Sequence, residues 1–306
     1  MAVDSAQLGI PEDASPHADY ARAARRRRSV ELTKGTLAYL VLILFAVIAI
    51  GPFLYLLSPS FRHSYDLLTF PPQWLPKSLY WGNFGAVLHQ TSYLRWALNT
   101  FIFATSVTLI TLAIDTLAGY AFARMHFPGR RVLFAIVISC LMIPTAAILA
   151  PLYIIVSSLP GWTHAGVNTY PGMVLPMVCS PLGVFMMRQF MSTLPEGLVE
   201  AARLDGASEF QIFRKIVLPL MKPAIVVLGI FTFMFQWTNF LWPLAITTTD
   251  SMKTLTVGIA SLQGQFVTNY GWLSAAAVMT MIPIIIVFLI FQKWFVQASM
   301  AGALKQ

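Results

Sequence analysis

Six stretches of this chain are apolar for about as long as a helix needs to cross a bilayer, roughly 20 residues. They run approximately from Gly35 to Leu57, Trp96 to Tyr120, Val132 to Ser157, Tyr170 to Met187, Pro223 to Thr247 and Trp272 to Phe291. A backbone inside lipid finds no water for its N–H and C=O groups, so segments of this length are constrained to be helices. The expected fold class is an all-α integral membrane protein with six transmembrane helices. Proline modulates two of them: Pro144 and Pro151 predict bends in the third, and Pro171, Pro176 and Pro181 in the fourth. With 57% hydrophobic and only 10% charged residues in 306, a soluble globular domain is excluded.

Basic residues set the orientation. With both termini in the cytoplasm, sixteen of the twenty Lys and Arg fall in inner segments, and only Arg62, Lys77, Arg95 and Lys253 fall outside. The net charge of +8 is thereby explained by topology and attraction to anionic inner-leaflet lipid, with no nucleic acid needed. Residues 1–34, polar with an Arg25 to Arg28 run, read as a disordered cytoplasmic tail and orientation anchor. Residues 35–296 form the membrane domain, and 297–306 a short cytoplasmic tail. No cleaved signal peptide is expected, because the first apolar stretch is too long for one and lacks an Ala-x-Ala exit. Cys140 and Cys179 both fall inside spans and read as small packing residues rather than a disulfide. The five histidines show no ligand spacing, so no metal is predicted.

One long polar interruption, Ser192 to Pro223, breaks the second half of the chain and reads as a cytoplasmic helical hairpin. Thr193 and Glu196 have capping-box spacing with Pro195 between them, predicting a helix that stops at Gly206. On it Leu194, Leu198, Ala201 and Ala202 share a face, opposite Glu196, Glu200 and Arg203. Ser208 and Gln211 repeat the capping-box spacing, and Phe210, Phe213, Ile216, Val217 and Leu220 follow at helical period until Pro219 and Pro223 intervene. Small residues beside a glycine turn make this a surface that another protein can approach closely.

The spaced pattern Glu200-Ala201-Ala202, Asp205-Gly206-Ala207 and Ile216-Val217-Leu218-Pro219 resembles the EAA loop of binding-protein-dependent ABC importer permeases. The resemblance extends to Asn99-Thr100, Gly119 to Arg124, Asn168-Thr169-Tyr170 and Phe240 to Leu244. It favours the carbohydrate-uptake branch and is most like the maltose-type second permease subunit. It implies that Glu200, Ala201, Ala202, Asp205, Gly206 and Ala207 dock on an ATPase subunit. It also implies a second permease subunit, two ATPase copies that carry ATP and Mg, and an extracytoplasmic solute-binding protein, in a bacterial or archaeal cell membrane.

This chain itself has no Gly-x4-Gly-Lys-Ser/Thr phosphate loop, and neither His-Glu-x-x-His nor Gly-x-Ser-x-Gly occurs, so no catalytic or cofactor-binding residue is expected. A self-contained secondary transporter is the weaker alternative, because neither an internal repeat nor several intramembrane charges are evident. Gln236, Trp237, Thr238 and Asn239 form a polar and aromatic cluster in the fifth span, either a solute contact or interhelical glue. Asp115 is the one acid inside a span, read as snorkelling or pairing with Arg124, with a proton relay as the alternative. The outer loop Asp250 to Gly271 is long. The resemblance implies that its Leu262, Gln263, Gly264 and Gln265 reach the binding protein; Phe266, Tyr270 and Trp272 as interfacial anchors are the other reading. The solute implied is a sugar, with a glycerol-phosphate compound as the alternative.

Overall fold

The computed structural model describes residues 16–63, 76, 78–159, 165–263 and 268–303. Every regular element among them is a helix, apart from an isolated bridge between Gln263 and Thr268. The described residues up to Leu56 form one compact unit and those from Leu57 onward another.

The first unit is described by α1 (Pro16–Ser60), whose stretch Lys34–Ser60 holds an 18-residue window of mean hydropathy 2.8 and is long enough to cross a membrane. Its start corrects the expected disorder: from Pro16 onward the tail is helical. Ala and Arg, which dominate residues 21–28, are among the best helix formers, and proline suits a first turn. Residues 1–15 and 304–306, assigned to the two tails, lie outside the described residues, as does Lys77.

The second unit opens with the short α2 (Gly82–Gln90) and then α3 (Tyr93–Arg124), a 32-residue apolar helix that organises the rest. The expected third span breaks into α4 (Arg130–Ser139), a 3-10 turn over Cys140–Met142, and α5 (Thr145–Ser157), which diverge by 105°. Pro144 forces the break, because its ring drives Ile143 out of the helical region to φ −86°, ψ 118°. The expected fourth span is α6 (Tyr170–Val174), a 3-10 turn over Leu175–Met177, and α7 (Pro181–Ser192), bent by 46°. Pro171 and Pro181 sit in first turns, where Thr169 and Ser180 hydroxyls accept the N–H groups of Gly172 and Gly183 at 3.1 and 3.2 Å. The polar interruption supplies α8 (Glu196–Leu204), α9 (Glu209–Ile212), a π-helical turn over Phe213–Val217, and α10 (Leu218–Leu220).

The fifth span departs from expectation. It ends with α11 (Lys222–Trp237), ten residues short of Thr247, and a separate α12 (Leu241–Ile246) follows. The backbone leaves the helix at Thr238 (φ −95°, ψ 0°), whose hydroxyl turns back to the carbonyls of Met234 and Phe235 at 3.0 and 3.3 Å. Helix α11 instead continues the hairpin through a 77° bend after Leu220. The chain ends with α13 (Leu255–Ser261) and α14 (Tyr270–Ala303).

Helix α3 carries a core cluster at each end. Tyr120 joins Met187, Met191, Val199, Ala202 and Ile212 at one, and Trp96 joins Val87, Trp237, Leu255 and Ala275 at the other. Phe103 and Val107 pack between them with Met173, Trp242 and Ile246. The crossing of α3 and α7 is backbone-close at Gly119, where an added Cβ would stand 2.6 Å from Met187 Cβ and 3.0 Å from the Arg188 nitrogen. Cys140 and Cys179 are both free and exposed, so neither packs in the core of this chain as expected.

Candidate docking and coupling site

The hairpin is built as its punctuation predicts at two of three points. Helix α8 ends on Asp205, and Gly206 follows at φ +80°, a left-handed conformation that glycine adopts without strain. The Gly206 and Ala207 N–H groups then donate to the carbonyls of Arg203 and Ala202, both at 3.0 Å, the paired bonds of a Schellman motif. Ser208 and Gln211 form the full capping box, at 3.3 Å and 2.9 Å. Thr193 does not cap α8. Its hydroxyl bonds the Phe190 carbonyl at 2.8 Å and so finishes α7, while Pro195 holds the N-cap position.

The faces of the hairpin are rotated by about one residue from those expected. Val199 and Ala202 are buried against α3 and α7, whereas Leu198 is 47% exposed and Ala201 is fully on the outer side. In the second arm the buried set is Ile212, Phe213, Val217 and Met221, and Phe210 is 64% exposed. The π-helical turn accounts for the end of this arm: Leu218 donates to the Phe213 carbonyl, five residues back, which inserts one extra position before Pro219 and buries Met221 in place of Leu220. Leu204, at 90% exposure, is the most exposed large apolar side chain among the described residues. The outer surface thus presents Leu198, Ala201, Leu204 and Phe210 beside Glu200, Asp205 and Gly206.

A polar brace that sequence reasoning missed fixes this hairpin to the end of α3. The buried Arg124 guanidinium donates to the Met191 carbonyl at 2.7 Å and also to that of Leu194. Glu209 accepts the Tyr120 hydroxyl at 2.6 Å and Arg203 Nε at 2.7 Å, and Arg203 donates in turn to the Arg124 carbonyl at 3.1 Å. These contacts join residues up to 89 positions apart, so no local spacing announces them. Chemically the arrangement can do one thing: hold an exposed apolar patch at a fixed angle to α3.

The opposite end of α3 is clamped as well. Asn99 Nδ2 donates to the carbonyls of Ser251 and Lys253 at 2.9 and 2.8 Å, and the Tyr170 hydroxyl donates to Asn99 Oδ1 at 2.6 Å. Thr100 Oγ accepts the Leu255 N–H at 2.7 Å. Asn168, at φ +58°, uses its Oδ1 to accept the N–H groups of Thr248 and Thr249 at 2.7 and 3.1 Å. Gly258 lies so close to Trp96 that a Cβ would stand 2.2 Å from the indole. The long loop that begins at Asp250 is therefore ordered against α3 as far as Ser261. Leu262 tucks against the Trp96 cluster, and Gln263 is exposed, while Gly264, Gln265 and Phe266 lie outside the described residues.

Of the 236–239 cluster, Gln236 and Trp237 are buried, and the Trp237 indole donates to the Thr280 carbonyl at 3.1 Å. Asn239 donates to Gln236 Oε1 at 2.9 Å, and Thr238 is exposed. Beside them a shallow groove of about 430 Å³ is lined by Phe240, Thr256, Ile259, Gln263 and Thr280, among others. Asp115 does not pair with Arg124, because nine helical residues separate them by about 13 Å. It is fully buried, with Oδ1 accepting the Ser180 N–H at 3.3 Å at the start of α7.

Residues 115–299 match the family model described as the binding-protein-dependent transport system inner membrane component. The arabinooligosaccharides transport system permease protein AraQ of Halalkalibacterium halodurans is 36% identical over 279 residues, covering 89% of this chain and 98% of that protein. The sn-glycerol-3-phosphate transport system permease protein UgpE of Pectobacterium atrosepticum is 34% identical over 74% of this chain and 82% of its own length. The fold is also that of a chain from a bacterial ABC transporter involved in the import of the acidic polysaccharide alginate, at a TM-score of 0.73, 22% identity and coverage of 87% and 98%. The chain thus belongs to the binding-protein-dependent transport system inner membrane component family.

Proposed function

We propose that this chain is one permease subunit of an ATP-driven importer for an oligosaccharide or similar sugar, and is not itself an enzyme. The observation that carries the reading is the hairpin 192–223, an exposed apolar surface locked to α3 on a chain with no phosphate loop of its own. ATP and Mg belong to two copies of a partner ATPase. Leu198, Ala201, Leu204 and Phe210 form the contact, with Glu200, Asp205 and Gly206 at its edge. Ala202 and Ala207 act from behind, through the Schellman turn.

Six crossings follow when α1, α3, α4 with α5, α6 with α7, α11 and α14 each count once, and the positive-inside distribution supports both termini in the cytoplasm. ATPase closure moves the hairpin, the brace passes that motion to α3, and α3 carries it to the clamped outer loop. A second permease subunit completes the path, and solute is received from an extracytoplasmic binding protein. In this chain Thr238 and Asn239 face the solute, with Gln236 and Trp237 supporting them. Leu262, Gln263, Gly264 and Gln265 contact the binding protein.

The AraQ relative supports a sugar. The UgpE relative supports a second reading, a glycerol-phosphate compound. Uptake by proteoliposomes holding the complex purified from its native membrane separates them. The proposal expects ATP- and binding-protein-dependent accumulation of labelled arabino-oligosaccharide in preference to sn-glycerol-3-phosphate. Preference for the phosphate establishes the second reading, and uptake of either without an ATPase subunit overturns the importer.

A further inference from the structure

The connection between α3 and α4 holds a feature that docking and transport do not use. A cavity of about 390 Å³, against roughly 30 Å³ for a water molecule, is lined by His126, Phe127, Gly129, Arg130, Arg131 and Val132. Arg130 is held in place by its bond to the Met125 carbonyl at 2.9 Å. The Arg131 side chain has no hydrogen-bond or ion-pair partner among the described residues, and no acid lies in the first turn of α4. Directly beyond the cationic rim the chemistry changes: Val132, Leu133 and Ile136 are 64%, 49% and 54% exposed and adjoin on one face of α4. A cationic cavity at the head of an exposed apolar strip has the polarity of one phospholipid, with an anionic phosphate above and an acyl chain below.

We propose that this cavity binds an anionic phospholipid of the inner leaflet, its phosphate between Arg131 and Arg130 with His126 beside them, and an acyl chain along Val132, Leu133 and Ile136. Charge complementarity selects an anionic headgroup, and the apolar strip selects a lipid over free phosphate. The inference rests on the proposed orientation, which places 125–131 on the cytoplasmic side.

The test uses the full chain, with the partners that copurify, in phosphatidylcholine vesicles doped with a photoactivatable phosphatidylglycerol. Cross-links are mapped by mass spectrometry. Labelling is expected to concentrate within residues 126–136 and to be competed by unlabelled phosphatidylglycerol but not by inorganic phosphate. Arg131→Gln should lower it about fivefold, matching about 1 kcal/mol for one cationic side chain at an anionic surface, and Arg131→Lys should retain it. Labelling that is uniform along the interface, unchanged in Arg131→Gln, equally competed by phosphate, or replaced by cross-links to a protein chain overturns the site. Accessibility of a cysteine at position 208 in the same vesicles reports orientation. Outer-side reactivity there fails the topology, whereas inner-side reactivity with unselective labelling fails the lipid site alone.

Discussion

Replacing Glu209 with alanine removes the joint between the hairpin and α3, and the structure sets the size of the loss. At the Tyr120 end, a buried hydroxyl donates to the carboxylate at 2.6 Å, and hydrogen bonds to charged groups contribute about 1.5–3 kcal/mol. At the Arg203 end the contact is as short, 2.7 Å. Its side chains are 35% and 39% exposed, however, so solvent screening reduces that pair to about 0.5 kcal/mol. The expected cost is therefore about 2–3.5 kcal/mol of local stability. Glu209→Gln, which keeps an acceptor but no charge, should cost about half of that. Hydrogen exchange reads the effect directly: amide protection across residues 196–204 should fall roughly 30- to 400-fold in Glu209→Ala, with the middle of α3 unaffected. A double-mutant cycle of Tyr120→Phe with Glu209→Gln should show a coupling above about 0.5 kcal/mol. Unchanged exchange in 196–204, or single effects that simply add, would refute the brace.

Three further outcomes are expected. Gly119→Ala should cost about 1–3 kcal/mol and lower the unfolding temperature of the solubilised complex, because its Cβ meets the Met187 side chain and the α7 backbone. Asp250 accepts from the Ser92 hydroxyl, with Lys253 Nζ at 3.1 Å, and these contacts, Ser92 first, hold its carboxyl below the ordinary 3.8. A depressed carboxylate contributes stability above its unfolded value and loses it as pH falls through the folded one. The protection factor of residues 250–255, exchange normalised to the intrinsic rate at each pH, should therefore be flat above pH 3.8 and fall only below it, and Asp250→Asn should abolish that step. With Cys140 and Cys179 replaced, a cysteine at Ser208 should react only with reagents that enter the cytoplasm, and one at Ser251 from outside; reversed labelling rejects the topology.

What could be read in the sequence was local. Gly206 and the Ser208–Gln211 pair were legible because a left-handed stop and a capping box each need particular residues at fixed spacing. Pro144 announced a break, although not one of 105°, since the angle depends on what α4 and α5 pack against. Hydropathy overextends the fifth span because Trp237, Phe240 and Leu241 keep it continuous across the helix end at Thr238. The hairpin faces depart from simple helical periodicity for two reasons. A π-helical turn shifts the register of the second arm, and α8 carries apolar side chains both toward the core, at Val199, and away from it, at Leu204. Asn99, Asn168 and Glu209 act on partners roughly 70 to 155 residues away, where spacing carries no signal.

Leu204 bears most directly on the central claim, because it is 90% exposed and touches nothing whose loss would unfold the hairpin. The decisive measurement is the amount of ATPase that copurifies with Leu204→Asp relative to wild type, alongside thermal unfolding of the chain. A surface substitution of this kind shifts stability by no more than about 0.5 kcal/mol. The expected result is an unchanged unfolding temperature with the ATPase lost from the complex and uptake abolished. Full retention of the ATPase together with wild-type uptake would contradict the assignment of this hairpin as the docking and coupling surface.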